Sequence, residues 1–483
     1  MKKIVLFIST LIASISAQAQ WEPDVRLTND PASSRTTWTN SVHAIATSGD
    51  TVHVVWYDDR DGNDEIYYKR SIDGGLTWGT DTRLTNDPAV SRYPSISVTG
   101  SYVHVTWCDN RDADQEIYYK RSTDGGNSWG PDTRISYPVG YSWYPTIAIS
   151  NEGLLLAWYE VTYPTFDIFY KRSTDNGSSW GAESQLTNSG KALVESIFAN
   201  GSVIHVAWFD KRDGNWEIYY KRSTDGGITW GADTRLTNDP ASSWLPCISA
   251  NDSIVHIGWA DNRDGEYWIY YKRSIDGGIT WGADTKLSID SSSDVWGPSL
   301  AVSGSAVHMV WADTRDVNYR IYYKKSDDAG LSWETDTRLT NAFFDSQYPS
   351  IAVSGPVVHV VWTDTRDGNE EVYYKRNPTG GFPVGIENDL AGISGKQISV
   401  YPNPASNSIH INFDNNSKLT AGQAGEQTFL TISNVLGDEL LSRPIQSGKT
   451  DIDVSGLQNG FYLVNVKTNK HQVNGTKLII AKQ

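Results

Sequence analysis

Cysteine is nearly absent: Cys108 and Cys247 are the only two in 483 residues. A framework of disulfides is excluded, and because each cysteine falls where related segments carry unrelated residues, a bridge between the two is not expected either. Basic charge is in deficit, with 41 Lys and Arg against 57 Asp and Glu and a net charge of −16. A nucleic-acid partner, which needs basic patches over its phosphates, is excluded on that ground. Beyond the N-terminus no apolar run is long enough to span a bilayer, so no transmembrane segment is expected in the mature chain. There is no helix-period pattern, no Ser-His-Asp order, no glycine-rich phosphate loop and no cysteine-metal spacing; no cofactor and no metal is expected.

Aromatic residues, by contrast, are abundant: 20 Trp and 26 Tyr. At that density they serve as buried wedges, as platforms for sugar rings, or as both. The chain opens with MKKIVLFISTLIASISAQAQ, which has two lysines, a short apolar run and an Ala17-Gln18-Ala19 pattern. Residues 1–19 read as a secretory signal peptide, cleaved after Ala19.

Most of the remaining chain is organised by a repeat. SIDGGLTW at 71, STDGGNSW at 122, STDNGSSW at 173, STDGGITW at 223, SIDGGITW at 274 and SDDAGLSW at 326 recur every 50 to 52 residues. A second pattern, VHVVWYDDRDGNDEIYYKR at 52, recurs at 103, 154, 204, 255, 307 and 358, seven times against six of the first. Within one unit PSISV (94–98), VHVTW (103–107), EIYYKR (116–121) and the stretch around 133–136 read as four short antiparallel strands. Four strands per fifty residues is the signature of a propeller blade, whose two apolar faces are buried only by stacking on neighbours. The seventh unit lacks its last strand, and WEPDVRLTNDP (21–31) supplies the missing sequence at the other terminus. The expectation is an all-β chain: a seven-bladed β-propeller over 20–380, closed by an N-terminal strand that leaves no open sheet edge.

The SxDxGxxW boxes resemble the Asp-box, or bacterial neuraminidase repeat, of sialidase-like propellers, over residues 21 to about 380. The resemblance implies that Asp73, Asp124, Asp175, Asp225, Asp276 and Asp328 are structural, in turns between third and fourth strands on the face away from an active site. Chemically each box is a turn device, with Ser71 and Asp73 bonding turn amides, Gly75 taking a positive φ and Trp78 filling the gap below. Sialidases of this family use an arginine triad, a Tyr-Glu pair and an Asp, each from a different blade. Here the blades are nearly alike, the family's Arg-Ile-Pro element appears only as the Arg-Leu-Thr of Arg26, Arg83, Arg235 and Arg338, and no catalytic set maps residue by residue.

Function is expected on the opposite face, in the loops between second and third strands and between blades. The first kind carries Arg60, Arg111, Arg212, Arg263, Arg315 and Arg366 in DxRD contexts. Guanidinium forks suit an anionic ligand; alternatively each pairs with flanking aspartates such as Asp58 and Asp61 and braces its hairpin. A calcium site from Asp61, Asn63 and Glu65 lacks the spacing of a dedicated calcium loop. Two places before the first-strand proline stand Arg92, Trp143, Trp244, Trp296 and Gln347, and the strand-two loops add Trp216 and Trp268. These aromatics either stack on sugars or pack against the next blade. Trp38 lies in a loop about six residues longer than its counterparts. The repeated His53, His104, His205, His256, His308 and His359 hold one strand position and read as structural. Blade three alone breaks the arginine rule, with EVTYPT at 160–165, so Glu160 and Tyr163 are the candidates for a catalytic pair, with Asp167 nearby.

After a low-complexity linker (381–397), residues 398–483 read as about seven strands of a small Ig-like β-sandwich. YPNPASNSI, NVLGDELL and GLQNGFYLV closely resemble the C-terminal sorting domain of the type IX secretion system. That resemblance implies export across the outer membrane, then release or attachment at the cell surface. The sequence therefore points to an exported propeller binding a glycan or a surface protein through its loop face. The alternatives are a sialidase-type glycoside hydrolase or a polysaccharide lyase acting at the axial pocket, and a multivalent adhesion scaffold.

Overall fold

The computed structural model describes residues 21–37, 43–138, 140–251, 253–289, 294–379, 398–401, 408–413, 428–433, 439–445, 448–457, 460–468 and 472–480. The expected signal peptide, the stretch holding Trp38 and the expected linker lie outside them. The described residues are strands, turns and bends with no helix, and so none long and apolar enough to cross a membrane. Two compact units divide the chain, 1–383 and 384–483.

The first unit is a ring of seven sheets. Blade 2 shows the pattern: Ser91–Thr99, Tyr102–Asp112, Asp114–Ser122 and Thr133–Arg134 pair antiparallel in that order. Its second strand is buried from Val103 through Cys108, on both faces, because each face is covered by a neighbouring blade. The other blades are 34–83 (blade 1), 141–185 (blade 3), 192–235 (blade 4), 243–286 (blade 5), 295–338 (blade 6) and 346–377 (blade 7). Blade 7 is completed by Val25–Arg26, in register Val25 with Tyr374 and Arg26 with Tyr373. Cys108 and Cys247 are buried and form no disulfide.

The Asp boxes join each blade to the one before it. In blade 1 the Ser71 hydroxyl donates to Asp73 Oδ1 at 2.7 Å and accepts from the Gly75 amide at 2.8 Å, while Asp73 accepts from the Thr77 amide at 2.9 Å. Gly75 sits at φ +87°, where a Cβ would lie 1.9 Å from the hydroxyl of Tyr374 in blade 7. Trp78 meets the same tyrosine edge-on at 4.9 Å. Asp124, Asp175, Asp225, Asp276 and Asp328 repeat the Ser-Asp bond. Blade 7 has no box, and Trp21 takes the tryptophan's place, edge-on to Tyr323 at 5.0 Å.

The second unit has two sheets, one of Ile398–Tyr401, Ser408–Phe413 and Gly448–Asp453, the other of Thr428–Ser433, Glu439–Ile445, Gly460–Thr468 and Gln472–Ile480.

Candidate functional site

The loop face, opposite the boxes, begins with the six arginines. Arg60 donates Nε to Asp58 Oδ1 and Nη1 to Asp81 Oδ2, each at 2.8 Å, and lies 4.4 Å over the ring of Tyr67, which stacks on Trp56. Arg111, Arg212, Arg263, Arg315 and Arg366 repeat the double carboxylate clasp, on Asp109 and Asp132, Asp210 and Asp233, Asp261 and Asp284, Asp313 and Asp336, and Asp364 and Asp24. Burial opposes the charge on these arginines, but the paired carboxylates outweigh it and raise their pKa. A ring of forks open to an anion is thus not what the fold presents. Each fork is closed by a fully buried carboxylate two residues after the tryptophan of its own second strand and by another just before strand four.

Blade 3 lacks this clasp as a set. Thr162 stands where the arginine would be, Phe169 replaces the tyrosine below it, and Gln185 replaces the strand-four arginine. Glu160, 7% exposed, accepts from Trp158 Nε1 at 2.9 Å. Burial, reinforced by Glu183 and Glu116, pushes its carboxyl up to about 7. Asp167 is also raised, by burial first. Tyr163 lies at the hairpin tip and is 92% exposed, whereas Glu160 is enclosed at the strand end. Glu160 prefers its proton in the fold, so its contribution to stability is full below about pH 4.5 and is lost as pH rises through 7. Glu160→Gln, which keeps the acceptor for Trp158, should stabilise the protein by about 3 kcal/mol at pH 8 and leave it unchanged at pH 4, read by chemical denaturation.

The axial channel holds about 280 Å³ and is lined by first-strand residues of all the blades, among them Ile45, Ile96, Ile147, Ile197, Leu300 and Ile351. Among the described residues its one ionisable lining residue is His43, held below its usual range by burial, and none is a carboxylate or an arginine.

Asymmetry appears at the blade junctions instead. At each one, a residue opening the third strand of one blade stands opposite a residue in the first strand of the next. Two junctions are ionic: Arg92 Nε donates to Asp64, and Arg35 Nε donates to Glu370. Asp64 is 4% exposed and lies 3.9 Å from Arg35 as well, so blades 7, 1 and 2 share one charge network. Tyr57, Tyr93 and Tyr144 border it, with Tyr57 and Tyr93 centroids 5.7 Å apart and Tyr93 and Tyr144 4.6 Å apart. Burial raises the pKa of all three phenols. Two other junctions are aromatic: Trp216 meets Trp244 at 5.3 Å and Tyr267 meets Trp296 at 5.8 Å. Tyr93, Tyr144, Leu245 and Tyr348 each precede the first-strand proline at φ between 48° and 56°. Register shifts at Arg92/Ser95, Trp143/Thr146, Trp244/Cys247 and Gln347/Ser350 mark the bulge that re-aims these side chains.

Of the aromatics singled out by sequence, Trp296 is exposed at 41%, with its Nε1 donating to Asp294 at 2.9 Å. Trp143, Trp216 and Trp244 are half-buried, and Trp268 is buried under Lys286. Sequence reasoning passed over Arg35, Asp64 and Glu370. The available signal was variation: the position of Asp64 reads Asp, Gln, Phe, Trp, Tyr, Tyr and Glu from blade 1 to blade 7.

Several known proteins share this geometry in part. Residues 399–481 match the secretion system C-terminal sorting domain, which makes the chain a type IX export substrate, secreted or held at the cell surface. Among solved structures, an ulvan lyase bound to a glucuronic acid–sulfated rhamnose unit shares 12% identity over 73% of this chain and 95% of its own, with a TM-score of 0.52. Another polysaccharide lyase shares 10% over 74% and 99%, also at 0.52. A sialidase from Streptococcus pneumoniae shares 13% over 77% and 70%, at 0.37. At these identities the likeness is one of fold. No curated protein matches the chain. Residues 108–360, more than half of the chain, match the BNR repeat-like domain. Together with the ring of box-bearing blades, that match makes the protein a member of the BNR repeat-like domain family.

Proposed function

We propose that this exported propeller binds a glycan on its loop face, by stacking sugar rings on the half-exposed aromatic pairs of the blade junctions. The observation that carries the reading is the Trp216–Trp244 pair together with Tyr267–Trp296, on consecutive junctions of one face. Such rings combine a flat apolar surface with a polar edge, the combination that a pyranose face and its hydroxyls require. A binding role also accords with the axial channel, whose mainly aliphatic described lining offers a single buried imidazole, His43, in place of the paired acid and base that cleaving a glycosidic bond requires. The glycan-active fold neighbours are in keeping with a saccharide ligand.

The test is a glycan array on the purified protein, paired with an assay for released reducing ends and unsaturated sugars. Binding without release is expected. Trp216→Ala or Trp296→Ala should weaken it about tenfold, the worth of about one ring contact. Steady release of sugar from any bound polymer would replace this reading with that of an enzyme, and Glu160→Gln would then be the first variant to assay.

A further inference from the structure

Blade 4 carries a feature that its sisters lack. Where its second strand ends and its first begins, the Lys211 amide donates to the Lys191 carbonyl at 3.2 Å. The same backbone bond in other blades joins Asp59 to Ser33, Asn110 to Val90, Asn262 to Ser242, Thr314 to Asp294 and Thr365 to Asp345. Only in blade 4 are both partners lysine. Both are exposed, and among the described residues neither ammonium has a carboxylate within 4.0 Å. The nearby Asp210 is fully buried and already bonded to Arg212 and Ser189.

The two ammoniums stand beside an aromatic surface. Lys191 Nζ is 5.5 Å from the Phe166 ring centroid and Lys211 Nζ is 5.7 Å from that of Trp216. Phe166 and Trp216 stack at 6.3 Å with 28° between their planes, and Trp216 continues to Trp244. Phe209 supports Trp216 and Trp244 from beneath, at 5.1 and 5.3 Å. Two adjacent like charges repel, and the cation–π contacts relieve that repulsion only in part.

Resting on the glycan-binding reading above, we propose that Phe166, Trp216 and Trp244 with Lys191 and Lys211 form a subsite for an acidic sugar, bearing a carboxylate or a sulfate. The ring lies on the aromatic surface and the anionic group sits between the ammoniums. The arginines of the ionic junctions do not compete for it, because Arg35 and Arg92 already hold Glu370 and Asp64. The net charge of −16 repels polyanions in general, so a preference for acidic sugars has to come from a local site such as this one.

Calorimetric titration of the mature full-length protein with three probes tests this: oligogalacturonate for carboxylate, sulfated κ-carrageenan oligosaccharide for sulfate, and a neutral galactan oligosaccharide of equal length. At least one acidic probe should bind about tenfold tighter than the neutral one, as two partly exposed ion contacts imply. The advantage should vanish in the Lys191→Gln/Lys211→Gln double variant and shrink with added salt, while binding of the neutral probe is unchanged. Equal affinity for acidic and neutral probes overturns the acidic-sugar subsite and leaves loop-face glycan binding standing, as does a preference that survives the double substitution. Failure of all three probes to bind counts against both.

Discussion

Acidification should unfold the propeller cooperatively, with a midpoint between about pH 5 and 5.5, well above the range in which most carboxylates titrate. The cause is the histidine repeated in second strands. In six blades its Nδ1 pairs with a third-strand tyrosine hydroxyl at 2.6 to 2.7 Å: His53 with Tyr68, His104 with Tyr119, His205 with Tyr220, His256 with Tyr271, His308 with Tyr323 and His359 with Tyr374. Burial, then a nearby arginine or lysine, lowers each imidazole from 6.5 to about 4, or about 3 for His308 and His359. A folded pKa below the unfolded one means that the unfolded chain takes up protons first. The stability is complete above about pH 6.5 and drains away as pH falls toward 4. One unit below 6.5 each histidine costs about 1.4 kcal/mol. Six together cost about 8 kcal/mol, which is of the order of a domain's whole stability. Glu160, Asp167 and Glu116 act in the opposite sense, but they are three groups against six. His104→Leu tests the cause, because blade 3 already tolerates Leu155 at this position. Circular dichroism through a pH titration should show the variant's transition moved to lower pH. Native stability unchanged between pH 7 and 4.5 would rule the histidines out.

The ring and its closure were legible in the sequence because the blades repeat the same contacts. Trp21, Asp24 and Arg26 carry the spacing of Trp78, Asp81 and Arg83, and the structure uses each as its counterpart is used: Trp21 on Tyr323, Asp24 on Arg366 and Lys375, Arg26 on Glu371. What a repeat cannot convey is which positions of different blades meet. The clasp of Arg60 on Asp81 crosses an Asp box, 21 residues away, so the flanking Asp58 and Asp61 are the partners a local reading favours. The charge network of the loop face is harder still, since Arg35 and Glu370 lie 335 positions apart and meet only through ring closure. Blade 3 was visible as an irregularity. Its physical meaning, a carboxyl without an arginine partner whose pKa is raised by burial, required knowing that Glu160 is enclosed while Tyr163 is not.

Removal of residues 21–29 should cost more than about 5 kcal/mol, enough to abolish a folded ring at physiological temperature. The segment pairs from Glu22 to Leu27: Val25 and Arg26 are in register with Tyr374 and Tyr373, and the Glu22 and Leu27 amides donate to the carbonyls of Arg376 and Val372. Its weight lies in what it leaves behind. Glu371 is fully buried and takes Arg26 Nη2 at 2.6 Å and the Thr28 hydroxyl at 2.5 Å. Losing both leaves the carboxylate without its cation, held only by Asn369 Nδ2 at 2.9 Å and the Asp30 amide at 3.3 Å, a loss of about 3 kcal/mol. Arg366 and Lys375 lose Asp24, Arg376 loses Glu22, and burial of Leu27, worth about 2 kcal/mol, goes as well. The uncovered edge at Glu371–Asn377 then offers unpaired backbone groups to other chains, so the truncated protein should associate on size-exclusion chromatography. Because the defect is a missing strand, a synthetic peptide of residues 21–31 added in trans should bind and restore both the monomer and the thermal transition. A truncated chain that melts at the wild-type temperature without the peptide would show that the ring does not depend on this strand. Retained melting would also separate blade count from closure, since seven sheets would then hold together with one of them a strand short.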